Sequence, residues 1–253
     1  MSSPVTRRLI ALVACAALVL ASCSDDGDDG DPAAATTTTA DSGTEPADGS
    51  STTTPTTERR PDPAAEAAME RAQGLNLTVE DFPSGWQNLP QAESEVGVVE
   101  LCTNVDLDAH LTALARSDAF SYTIEPGTLQ ASSSVSILDE EEAAADMIAD
   151  FRDDEFVQCA TESLSRDTDT YTIDGALSRN ESSPDLGDEA VALSGDFTIT
   201  PTDDSPPHTL SAAVVATRKG DTVVIFSSTA TDRGFDEETT RTLLTAIDER
   251  IEA

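Results

Sequence analysis

The most specific chemistry in the sequence belongs to one thiol. Leu20-Ala21-Ser22-Cys23 places an aliphatic residue and two small residues directly before a cysteine. That order matches the bacterial lipobox, and its spacing follows from the chemistry. A diacylglyceryl group alkylates the cysteine thiol, and a peptidase that accepts small residues cuts in front of it. Cys23 is therefore the predicted lipidation site and new N-terminus, carrying diacylglycerol and palmitate-type chains. The residues ahead of it fit export. Arg7 and Arg8 precede an apolar run from Leu9 to Leu20. The run is shorter than the roughly 20 residues that cross a bilayer, and its layout is that of a signal peptide. Each buried methylene of an acyl chain contributes roughly 0.8 kcal/mol, so two or three chains give a stable anchor.

Of the four cysteines, Cys15 leaves with the signal and Cys23 takes the lipid, which leaves Cys102 and Cys159. Outside the membrane such a pair tends to be oxidised. A disulfide closing 57 residues would stabilise the fold by roughly 4 kcal/mol in the chain-entropy account. The alternative is a redox pair, which needs a C-x-x-C spacing or a tuned thiolate; neither is visible.

Other chemistry is thinly supplied. The two histidines, His110 and His208, stand at no metal-ligand spacing, so no zinc site is expected. The sequence has no G-x-S-x-G and no S-x-x-K of the β-lactamase type. Thr217-Arg218-Lys219-Gly220 reads as part of a hairpin rather than a phosphate loop. Ser24 to Asp31, SDDGDDGD, lacks the ligand offsets and distal Glu of a calcium loop and reads as a solvated spacer. Among 49 acidic residues no pair is favoured as a glycosidase dyad, and 4% aromatic content is a poor supply for sugar stacking. No catalytic residue, metal ligand or cofactor is expected, and ligand-binding residues cannot be named from the sequence.

The formal net charge is −35, and Lys219 is the only lysine. Such a chain repels nucleic-acid phosphates, so DNA and RNA are excluded as partners. A basic protein or cations remain compatible with it.

Three segments are expected. Residues 1–22 are the signal peptide. Residues 23–62 are an acidic, Thr-rich tether with too little apolar surface to offset its chain entropy, hence disordered. Residues 63–253 are an extracytoplasmic α+β domain. Within it, Asp62-Pro63 opens a helix over Ala64–Gln73 that Gly74 closes. Thr78 caps a turn, Pro83-Ser84-Gly85 bends the chain, and Trp86 plugs the core there. Leu107, Leu111 and Leu114 predict a helix over Asp106–Arg116, with His110 beside its apolar face. Phe120–Glu125 and Leu129–Leu138 form a strand pair across Pro126-Gly127. Asp139–Phe151 is the clearest helix, and Asp153–Leu164 follows it. Period-two patterning then gives strands at Tyr171–Ser178, Ala190–Thr200, Leu210–Thr217 and Thr222–Ser228. His208 falls in the loop before Leu210. Gly220 supplies positive φ in a hairpin. Asp236 caps a final helix striped with Leu243, Leu244, Ile247 and Ile251. The expected architecture is a single α+β domain, mainly an antiparallel sheet with packed helices.

Several of these stretches carry a resemblance. Leu77-Thr78-Val79-Glu80-Asp81-Phe82-Pro83-Ser84-Gly85-Trp86 resembles the "L-x-x-x-D-L/F-P-x-G-W" opening of many small lipoproteins of high-GC Gram-positive bacteria. The strand Val135–Leu138 leads into an Ala-rich helix. Phe156-Val157-Gln158-Cys159, Gly187-Asp188-Glu189-Ala190 and Ala213–Val224 then follow in order. This order resembles the PknH-like extracellular sensor domains and their lipoprotein relatives, over about residues 75–251. The resemblance implies one α+β domain with a cleft for a small ligand. Members typically carry two disulfides, whereas this domain can form one.

Together these readings predict a membrane-anchored lipoprotein on the outer face of the cytoplasmic membrane. Its domain would be non-enzymatic and sensor-like, binding an unknown small ligand or an envelope protein. The alternatives are an envelope structural or assembly factor acting through protein contacts, and an envelope hydrolase built from scattered acids.

Overall fold

The computed structural model describes residues 63–89, 98–181, 184–203 and 205–253. The expected signal peptide, the expected lipidation site Cys23, the expected tether and the expected Asp62 cap lie outside the described residues. Among those described, nine strands form one sheet. Its long strands are β4 (Gly127–Leu138), β6 (Tyr171–Arg179), β7 (Glu189–Pro201), β8 (His208–Lys219) and β9 (Thr222–Thr231). They lie in the order β4-β9-β8-β7-β6, and every pairing is antiparallel. Beyond β6 sits the two-residue β5 (Arg166–Asp167). The outer edge of β4 is shared by two short strands. β3 (Ala119–Ile124) pairs with its first half and β2 (Leu111–Arg116) with its second. β1 (Gln87–Leu89) lies outside β3.

Between β2 and β3 the chain jogs, and a side chain keeps the ladder satisfied. The Ser117 N–H donates to the Ser133 carbonyl at 2.9 Å, and the Ser117 hydroxyl accepts from the Ser133 N–H at 2.8 Å. The Ser133 hydroxyl donates to Asn76 Oδ1 and accepts from the Leu77 N–H, so this buried polar knot has its partners.

Helices cover both faces because the strands are apolar on both. In β9, Val223 and Ile225 face one core while Val224 and Phe226 face the other, as the two-residue period requires. The first core lies under α4 (Glu141–Asp150) and α5 (Asp154–Leu164). It contains Met147, Ile148, Phe151, Phe156, Leu193 and Phe197. The second lies under α1 (Pro63–Leu75) and α6 (Glu237–Ile251), around Phe120, Val135, Phe226, Leu243 and Ile247. Beyond the helices of the second core, that face turns polar. Asp174, Ala176, Asp196, Thr198 and Thr209 are exposed there, while Ile173, Leu177, Phe197 and Ile199 on the opposite face are buried.

Trp86 is buried as the sequence predicts. Its ring centroid lies 4.7 Å from Phe82, 5.9 Å from Tyr122 and 5.8 Å from Phe235. The bend before it places Gly85 at φ 102°, which favours glycine. Thr78 and Asp81 form a capping box around the turn Val79–Asp81. Asp236 caps α6 by accepting from the Thr239 N–H at 2.8 Å. The hairpin after β8 turns on Gly220-Asp221, with Gly220 at φ 55°.

Three expectations are corrected. The predicted helix over Asp106–Arg116 is one turn, α3 (Leu107–His110), followed by β2. Ala113 and Ala115 are buried with period two, and pairing with β4 satisfies the backbone. A free sheet edge overrode the leucine spacing, which fits three helical positions by coincidence. His208 is not in a loop but opens β8, opposite Ile199. α1 also runs through Gly74 to Leu75 instead of stopping before it.

Candidate functional site

Two stretches quoted for the family resemblance meet at one end of the sheet. Gly187 has φ 55°, and its N–H donates to Asp248 of α6 at 2.9 Å. The Asp188 N–H donates to the Arg218 carbonyl at 2.7 Å, and its carboxylate accepts from the Gly220 N–H at 3.0 Å. Glu189 accepts from Arg218 at 2.9 Å and from Arg152 at 3.0 Å. The Arg218 side chain is nearly buried, at 9% exposure, and also reaches Glu141. Lys219 bridges Asp188 at 3.2 Å and Glu252 at 2.7 Å. The result is a clasp that ties the β6–β7 loop to the β8–β9 hairpin, to α4 and to the end of α6. Arg218 is satisfied by acids on several sides, as a buried guanidinium must be; only its Nε lacks a partner among the described residues.

The electrostatics of the clasp follow from these bonds. The Gly220 N–H, then Lys219, hold the Asp188 carboxyl below the usual carboxylate range. Arg218, then Arg152, do the same for Glu189. Desolvation alone would lower the Arg218 pKa, but the bonds to Glu189 and Glu141 outweigh it and leave the value raised.

The clasp fixes one wall of a groove. The loop residues Pro184, Asp185 and Leu186, immediately before Gly187, form that wall. Glu237, Thr240, Arg241, Leu244 and Thr245 of α6 form the other. Glu237, Arg241, Leu244 and Thr245 are spaced to share one helix face. The groove measures about 430 Å³, within the range of small-ligand sites. Leu186 and Leu244 are half-buried and pack on the second core, so the groove floor is continuous with the hydrophobic interior. Its rim carries two acids, Asp185 and Glu237, and one cation, Arg241.

The residues singled out by the sequence lie elsewhere. Cys102 and Cys159 are joined in a disulfide with Cα atoms 5.7 Å apart, which ties α2 (Val98–Cys102) to α5. The two histidines do not meet. His110 Nδ1 bonds Asp139 at 3.0 Å, and His208 Nδ1 bonds Asp232 at 2.6 Å. The Asp139 bond raises the His110 pKa above 6.5. Lys219 belongs to the clasp. No group of three metal-ligating side chains is gathered among the described residues, and no helix there is long and apolar enough to cross a membrane.

Sequence pattern alone does not mark the groove residues. Leu244 belongs to the apolar stripe of α6 by spacing, but it sits at the stripe's margin, where Leu243 and Ile247 are buried and it is not. Arg241 gives no signal at all; an exposed helical arginine is ordinary until another segment shares a groove with it.

The domain is thus an α+β fold, an antiparallel sheet with helices on both faces and a groove at the margin of one of them. No protein-family model and no curated protein matches the chain. Solved structures similar to it include two from Mycobacterium tuberculosis. The extracellular domain of PknH from Mycobacterium tuberculosis shows 13% identity and a TM-score of 0.42, covering 73% of this chain and 97% of that one. LpqN, involved in cell envelope biogenesis of Mycobacterium tuberculosis, shows 18% identity and a TM-score of 0.27, covering 66% and 78%. At these identities and TM-scores the likeness is loose.

Proposed function

We propose that this chain is an exported lipoprotein, held to the outer face of the cytoplasmic membrane by a lipid on Cys23, whose domain binds a small ligand without turning it over. Residues 23–62 act as the tether and residues 63–253 as the binding domain. The observation that carries the binding role is the groove between residues 184–186 and α6. It combines an apolar floor at Leu186 and Leu244 with charges of both signs at the rim, which is the make-up of a ligand site. Its lining draws on carboxylates, hydroxyls and one guanidinium, and both imidazoles are engaged with aspartates outside that lining.

Two experiments test the halves of this reading. Membrane fractionation of Cys23→Ala should move the protein from the membrane to the soluble fraction; equal membrane retention refutes the anchor. A thermal-shift screen of the full chain against envelope lipids, glycans, metabolites and divalent cations should give a hit that Leu244→Arg abolishes. A ligand at 100 times its Kd should stabilise by roughly 2.7 kcal/mol. A flat screen would remove the ligand-binding role and favour an assembly factor acting through protein contacts.

A further inference from the structure

We infer that the groove takes a small zwitterion with an apolar body, about the size of an apolar dipeptide. This rests on the reading of the groove as a ligand site and names the class of ligand.

The argument begins with hydrogen-bonding capacity. The hydroxyls of Thr240 and Thr245 are both committed as donors to their own helix, to the carbonyls of Asp236 at 3.0 Å and Arg241 at 2.9 Å. Toward a ligand they can only accept. Asp185 and Glu237 are acceptors as well when ionised. Four groups on the lining therefore call for donors, and an ammonium supplies three.

Arg241 calls for the opposite. Arg71, Arg152, Arg179, Arg218, Lys219 and Arg250 each form an ion pair with a carboxylate. Arg233 and Arg241 form none among the described residues, and of these two only Arg241 lines the groove, although Glu237 stands four residues earlier on the same helix. Its five N–H donors form a fork that suits a carboxylate.

Charge then separates the ligand classes. A simple anion would meet Asp185, Glu237 and the field of a chain whose formal charge is −35. A simple cation would satisfy the acids but leave Arg241 facing a like charge. A zwitterion presents an ammonium to the acceptors and a carboxylate to Arg241. Its apolar side groups then lie along Leu186 and Leu244, where burying them is favourable.

The test is calorimetric titration of the full chain with three probes: L-leucyl-L-leucine, its N-acetyl derivative and its C-terminal amide. The expected result is binding of the free dipeptide and at least tenfold weaker binding of each capped form. Arg241→Met should weaken the free dipeptide at least tenfold while leaving the amide unchanged, because the amide has no carboxylate to lose. Glu237→Gln should act in the mirror sense, weakening the free dipeptide but not the N-acetyl form. Both substituted side chains lie at the surface, and unchanged urea midpoints would verify that the variants are folded. Equal binding of the free and capped forms overturns the zwitterion assignment. If that binding is abolished by Leu244→Arg, the groove stands as a ligand site for another class. Absence of binding by all three probes overturns the assignment too, and the broad screen then decides the groove's role by itself.

Discussion

Gly187 and Gly220 offer a matched test of the clasp. Both have φ 55°, so an alanine at either meets the same intrinsic strain of about 1 kcal/mol. Their surroundings differ. At Gly220 a Cβ would meet nothing within 4 Å. At Gly187 it would approach the Arg218 carbonyl oxygen to less than 3.0 Å, and the Thr217 hydroxyl to 2.9 Å. That carbonyl belongs to β8, inside the sheet, and it already accepts from the Asp188 N–H. Relief requires moving the backbone of the loop, which adds overpacking of about 1–3 kcal/mol. Gly220→Ala should therefore cost about 1 kcal/mol and Gly187→Ala about 3 kcal/mol. For a domain of this size these correspond to losses in Tm of roughly 2–4 °C and 6–12 °C. Urea unfolding followed by Trp86 fluorescence reads both variants, because Trp86 is buried in the second core. Equal losses, or a larger loss for Gly220→Ala, would refute the proposed close approach of the loop to β8.

Four further outcomes are expected. Replacing Cys102 and Cys159 together by serine should cost roughly 4 kcal/mol, and intact-mass analysis of the oxidised protein should find no free thiol at either position. Phe226→Ala opens a cavity in the second core, where the side chain is 1% exposed, and should cost about 3–5 kcal/mol by chemical denaturation. The folded pKa of Glu189 is depressed by Arg218 and then Arg152. Its contribution is thus complete above its unfolded value of 4.5 and fades as the pH falls through the lower folded one; Glu189→Gln should flatten the acid limb of the stability curve. His110 runs the other way. Its pKa is raised by Asp139, so its contribution is complete below 6.5 and is lost as the pH rises through the folded value. His110→Gln should remove that decline, and a decline that persists unchanged would exclude His110 as its source.

Much of this protein was legible from local pattern. The β8–β9 hairpin was readable because Gly220 stands between two runs of period two. The caps at Thr78 and Asp236 were readable because capping is a contact across three residues, and α4 because its acids and apolar face sit within one segment. Such features depend on neighbours in the chain, and a sequence records those directly.

What only the tertiary structure decided depends on pairing across long separations. Residues 111–116 have a spacing compatible with a helix, and only the open edge of β4 made them a strand. Gly187-Asp188-Glu189 and Arg218-Lys219-Gly220 are each unremarkable turn sequences; their meaning as a clasp arises when the β6–β7 loop lies against the β8–β9 hairpin and Asp248 of α6 closes over Gly187. The groove is of the same kind. Leu186 and Arg241 are 55 residues apart in the chain, and nothing in either neighbourhood reports the other. The sequence determined which segments could be strands and helices and where they turn; the packing of helices on two apolar sheet faces decided which polar side chains meet and which apolar ones stay at the margin to floor a site.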